Sequence, residues 1–230
     1  MLLSLLLSLS FSFSFPFPFP LSLSLSFSFS VELIEPDNKV VVFDKENLSP
    51  EKSIYYIRNK GTFKIKYILQ DSEHNDLYTC KFKNSLESGY LKDSNEKKFL
   101  LFKFFNNKSG ESVIAFYKDD KNTHSVTCKL TSRRSTTSYS KYTVEFENKE
   151  TSKTEILDIH YNNKESFIYY GKQKEDGQLI CKLFPPNSLN IYYTIEIAPN
   201  VDQLFINVIL CIIIRIILIH RATTTTTVII

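Results

Sequence analysis

From Leu204 to Ile219 the chain is a run of Ile, Leu, Val and Phe, with Asn207 and Arg215 as its strongly polar interruptions. The run is too long for one ordinary strand, despite the β preference of Ile. As a helix it is apolar on every side, so it must be enclosed by protein or by lipid. Pro199 ends the preceding segment, Asn200 is placed as an N-cap and Asp202 falls in the first turn. That spacing predicts a helix over about 201–220.

The lipid option is a C-terminal membrane anchor. At 1.5 Å per residue the apolar stretch is about 24 Å long, against a bilayer core of about 30 Å. Arg215 near mid-membrane costs about 2.5–3.5 kcal/mol on insertion scales, which the abundant Ile offsets. The protein option is a helix running through the middle of a closed sheet, with Arg215 reaching water at the far mouth.

The rest of the chain favours the second option, because its dominant period is two. Phe63, Ile65, Tyr67 and Leu69 alternate with Lys64, Lys66 and Ile68; Tyr142, Val144 and Phe146 alternate with Thr143, Glu145 and Glu147. Tyr193, Ile195 and Ile197 alternate with Thr194 and Glu196. Alternation of this kind gives each strand one dry and one wet face. Runs bounded by turn residues centre on Leu33, Val41, Tyr56, Ile65, Thr79, Phe102, Ile114, Thr127, Val144, Leu157, Ile168, Ile180 and Thr194. Asn59-Lys60-Gly61, Tyr161-Asn162-Asn163-Lys164 and Glu175-Asp176-Gly177 are short connections between antiparallel neighbours. The expected fold is all-β with one buried helix: a closed antiparallel barrel of about 12 strands around a hydrophobic C-terminal α-helix. About a dozen strands enclose a lumen that must be filled, and the apolar helix fills it through Val201, Leu204, Phe205, Val208, Ile209, Ile212, Ile213 and Ile216.

Both ends are of low complexity. Residues 1–30 contain only Met, Leu, Ser, Phe and Pro; without a basic n-region they read as a disordered, repeat-derived tail, with a signal-like segment or an anchor as the alternative. The fold is therefore expected within 31–221, followed by a Thr-rich tail over 222–230. Cys80, Cys128, Cys181 and Cys211 are widely spaced with no CxxC pair, which fits buried reduced thiols better than a disulfide framework or a zinc site.

Little here points to catalysis. Five glycines and no Walker loop, no HExxH and no Gly-x-Ser-x-Gly leave His74, His124, His160 and His220 without a recognisable partner motif. No catalytic residue, cofactor or metal is expected. A formal charge of +3 spread over mixed-sign segments is too diffuse for nucleic acid. Lysines recur on alternate strand positions, and Arg133-Arg134 follows Cys128-Lys129. Lys64, Lys66, Lys129, Arg133 and Arg134 are the candidate lipid-binding residues, because several cations facing one way hold phosphate head groups. The same lysines also keep a β protein soluble.

The stretch Tyr193-Thr194-Ile195-Glu196-Ile197-Ala198-Pro199-Asn200-Val201-Asp202, running directly into an apolar helix, resembles the end of the tubby C-terminal-like superfamily. That group includes LURP-one-related proteins and phospholipid scramblases. The resemblance covers about residues 31–221 and implies a twelve-stranded barrel around a hydrophobic helix, a helix that can be mistaken for a membrane span. It implies a non-enzymatic binding or adaptor module, with a phosphoinositide or an anionic membrane surface as partner, in the cytoplasm or at the cytoplasmic face of a membrane. A β protein anchored through 201–221 and scramblase-like lipid transport are the alternatives. Neither the tubby phosphoinositide residues nor an acidic calcium loop has a matching motif here.

Overall fold

The computed structural model describes residues 31–226, apart from 61–65, 84–86, 107–110, 119–122, 137 and 188–190. The chain divides into Met1–Val31 and Glu32–Ile230, and the described fold belongs to the second unit. The low-complexity segment 1–30, together with Lys64 and Ile65, lies outside the described residues.

The described residues form twelve strands. They are β1 (Ser53–Lys60), β2 (Lys66–Gln70), β3 (Asp76–Lys83), β4 (Ser88–Asp93), β5 (Lys98–Asn106) and β6 (Glu111–Lys118), then β7 (Thr123–Ser135), β8 (Tyr139–Asn148), β9 (Lys153–Asn162), β10 (Ser166–Tyr170), β11 (Gln178–Phe184) and β12 (Tyr193–Ile197). Each pairs with its neighbour in sequence, and β12 returns antiparallel to β1 to close the barrel. Closure leaves no sheet edge to recruit a further strand. The alternation seen in the sequence sets the faces. Tyr142, Val144 and Phe146 of β8 and Tyr193, Ile195 and Ile197 of β12 turn inward and are buried.

The lumen is filled by α1 (Gln203–Thr226). Every residue from Phe205 to Ile214 is buried, so this part of the helix presents no face to water. Phe205, Val208, Ile209, Ile212 and Ile213 are fully enclosed, whereas Leu204 and Ile216 are half-buried. Val201 is buried two residues before the helix, bridging Val40. The helix runs on past the expected end at 220, through Thr226. Arg215 is half-buried, with its Nε buried and without a hydrogen-bond partner among the described residues, and the four cysteines are reduced and buried in the wall and helix.

Three local expectations are corrected. First, the N-cap is Asp202 and not Asn200. Asp202 Oδ1 accepts from Phe205 N–H at 3.0 Å, while Asn200 takes a left-handed φ of 60° in the turn before it. Second, the runs centred on Leu33 and Val41 form no strand. Val40–Val42 and Phe43 are instead a stopper at the helix's N-terminal end. Val42 and Phe43 N–H donate to Asp202 Oδ2 at 3.1 and 2.7 Å, and Asp202 N–H donates to Val40 O at 2.8 Å. Phe43 packs edge-on against Phe116 and Phe205. Third, β4 was not expected at all. Its Gly89 reads as a strand breaker, yet a Cβ there would sit 2.2 Å from Phe102 Cζ and 2.7 Å from Lys81 O. Glycine is required because the Phe102 ring lies over that backbone.

Candidate functional site

With the lumen occupied and the edges paired, the outer wall and the connecting loops are what remain for binding. The wall of β1–β5 is distinctive because its register sets lysines directly against one another. Lys60 of β1 faces Lys66 of β2, Lys66 faces Lys81 of β3, and Lys92 of β4 faces Lys98 of β5. Side chains directly opposite are about 4.5–5.5 Å apart at Cβ, where like charges oppose folding. Lys103 extends the patch along β5, opposite Ser88.

Aromatic rings and one carboxylate temper this charge. Lys98 Nζ lies 5.0 Å from the centre of the Tyr90 ring, and Lys103 Nζ lies 5.2 Å from that of Tyr117. Glu96 pairs with Lys92 at 2.6 Å. Its carboxyl is held below the usual range, first by the hydrogen bond and charge of Lys92 and then by the charges of Lys81 and Lys66. One carboxylate thus feels lysines from three strands, as it must if all three point outward together.

Among the predicted binding residues, Lys66 belongs to this wall. Lys129 is exposed on β7, and Arg133 is exposed at the β7 bulge, where Arg134 pairs with Lys141. Five inter-strand spacings separate β2 from β7, about 24 Å around the wall, so these residues do not converge with Lys66. Lys81, Lys92, Lys98 and Lys103 join Lys66 instead. Strand alternation marks all but Lys98 as outward-facing; Lys98 has the parity of buried Leu100 and Phe102 and reaches the outer face through the register shift that pairs it with Lys92.

Two other polar features lie across β8–β11. Lys141 Nζ and His160 Nε2 approach Asp158 Oδ2 at 3.1 and 3.2 Å, and Gln173 N–H donates to the same oxygen at 3.2 Å. Burial pushes the Asp158 carboxyl up, but hydrogen bonds from His160, Lys141 and the Gln173 backbone outweigh it, and the net direction is down. An open cavity of about 400 Å³ beside this cluster is lined by Asp37, Glu155, Tyr170, Lys172, Glu175 and Asp176. Among the described residues no group of three His, Cys, Asp or Glu is arranged to hold a metal ion.

A family model for LURP-one-related proteins matches residues 29–215, which takes in all twelve strands and the helix as far as Arg215. The chain belongs to the LURP-one-related family. Its domains are tubby-like, in agreement with the barrel and central helix seen here. An X-ray structure of a protein from Arabidopsis thaliana is similar at 15% identity and a TM-score of 0.49, over 76% of this chain and 96% of that one. No curated protein matches the sequence.

Proposed function

We propose that this LURP-one-related barrel is a non-enzymatic binding module that attaches to anionic membrane surfaces through the outer wall of β1–β5. The observation that carries this reading is the row Lys60–Lys66–Lys81 with the pair Lys92–Lys98, cations set directly opposite cations. Such an arrangement works against folding, and an anionic partner relieves it. Phosphates in a bilayer surface supply that partner over an area the size of the wall, each lysine near the surface adding about 1 kcal/mol. Burial of the apolar helix inside the barrel favours peripheral attachment over a membrane span.

Co-sedimentation with vesicles tests the reading. The protein is expected to pellet with phosphatidylcholine vesicles that carry phosphatidylserine or a phosphoinositide, to stay in solution with phosphatidylcholine alone, and to be released by salt. Comparing the two anionic lipids at equal charge separates general surface attraction from head-group selection. Lys66→Gln should weaken binding about fivefold. The same substitution should leave the fold as stable or stabilise it by about 0.2–1 kcal/mol, because two like-charge pairs are removed. Absence of pelleting with either anionic lipid overturns the proposal.

A further inference from the structure

The basic wall also contains a line of apolar side chains. Along β5 the outward positions run Lys98, Leu101, Lys103 and Phe105, alternating cation with apolar group. Leu101 is flanked by Tyr90 of β4 on one side and Tyr117 of β6 on the other, the rings that lie under Lys98 and Lys103. Phe105 at the end of the line is 51% exposed and faces half-buried Val113 on β6. Lys103 precedes Phe105 on the same face, and exposed Lys129 stands on the far side of Val113.

We infer that β5 is the line along which the barrel enters a bilayer surface, with Phe105 passing below the phosphate plane while Lys98 and Lys103 remain at it. The inference rests on the membrane reading above and adds an orientation and an inserting residue. A cationic field that contains an exposed aromatic ring is complementary to a layer whose phosphates overlie hydrocarbon. A soluble acidic protein would satisfy the lysines and leave Phe105 in water. Carboxylates flank this end on both sides: Glu87, whose backbone carbonyl accepts from Phe104 N–H at 2.9 Å, on the β4 side, and Glu111 on β6 with Glu145 opposite Lys129 on the other.

The chain has no Trp, so a single introduced indole reports its own surroundings. In the full chain, Phe105→Trp should give emission that shifts to the blue on adding phosphatidylserine vesicles and is quenched by lipids brominated in the acyl chain. Phe167→Trp, on β10 across the barrel, should show neither change. Phe105→Ser should weaken vesicle binding about tenfold and leave a residual component that salt removes entirely. If the protein pellets with vesicles but the Phe105→Trp emission stays unshifted and unquenched, the insertion is overturned and the surface attachment stands. If nothing pellets, the attachment itself falls. A soluble acidic polymer shifting the Phe105→Trp emission as strongly as vesicles also overturns the insertion.

Discussion

Asp202 is fully buried and its carboxylate joins two parts of the chain distant in sequence: it caps α1 through Phe205 N–H and holds the stopper through Val42 and Phe43 N–H. Asp202→Ala removes the acceptor for all three donors. Loss of an N-cap costs about 1 kcal/mol, and each buried N–H left unpaired costs about 1–3 kcal/mol. The expected loss is therefore about 3–7 kcal/mol, a fall in Tm on the order of 10–25 °C for a chain of this size. Asp202→Asn should cost less, since one oxygen is retained for the cap. Unfolding by heat and urea, followed by circular dichroism, gives the magnitude. Hydrogen exchange at Val42 and Phe43 gives the place, where protection should collapse before the strands are affected. A loss below about 1 kcal/mol, or unchanged protection at these two amides, would refute the reasoning. The pH dependence adds a sign. Burial raises the Asp202 carboxyl against its backbone hydrogen bonds. Its folded pKa therefore lies above its unfolded one, and its contribution declines as pH rises through the folded value.

Three further outcomes follow from single residues. Asn207→Leu should stabilise the protein by about 1 kcal/mol in urea unfolding, because Asn207 Oδ1 is buried inside the barrel without a hydrogen-bond partner among the described residues; a loss of stability would count against helix burial. Gly89→Ala should cost about 1–3 kcal/mol in the same assay, as the new methyl group meets the Phe102 ring and Lys81 O; a neutral result would show that β4 is not where it is placed. Asp158→Asn should remove part of the acid-side loss of stability. The Asp158 carboxyl is held low, so its contribution is present above its unfolded pKa and is lost as pH falls through the folded value. The gap between wild type and variant should close on acidification, and a gap that widens would invert the assignment.

How much of this was legible depended on whether a local pattern sufficed. β8 and β12 were readable because each alternates cleanly, and α1 because no surface accepts a run such as Ile212-Ile213-Ile214. Val40-Val41-Val42-Phe43 misled for a definite reason: apolar β-branched residues signal a strand, but here they pack on a helix terminus held by a carboxylate far along the chain. β4 was hidden because Gly89 looks like a turn until Phe102 is known to cover it. The basic wall was half visible. Alternation shows that Lys66, Lys81 and Lys103 face outward, but Lys98 has the parity of buried Leu100 and Phe102, and its place in the wall depends on a register shift between Leu91 and Lys92 that no local pattern announces.

The same apolar helix that suggests a membrane span also limits what the barrel can do with it. Fully burying a Val, Leu, Ile or Phe side chain is worth about 1.5–3 kcal/mol, so Phe205–Ile214 contribute on the order of 20 kcal/mol to the closed state. Drawing the helix out into lipid would leave a dry lumen with nothing to fill it, and the wall would not survive its departure. A spanning helix and an intact barrel are therefore alternative fates of this chain, and only the second retains a register. Since the opposed lysines exist only through that register, membrane attachment by the β1–β5 wall requires the helix to stay inside. Destabilising the helix, as by Ile213→Asp, should then abolish vesicle binding together with the cooperative melt, although no wall lysine has been altered.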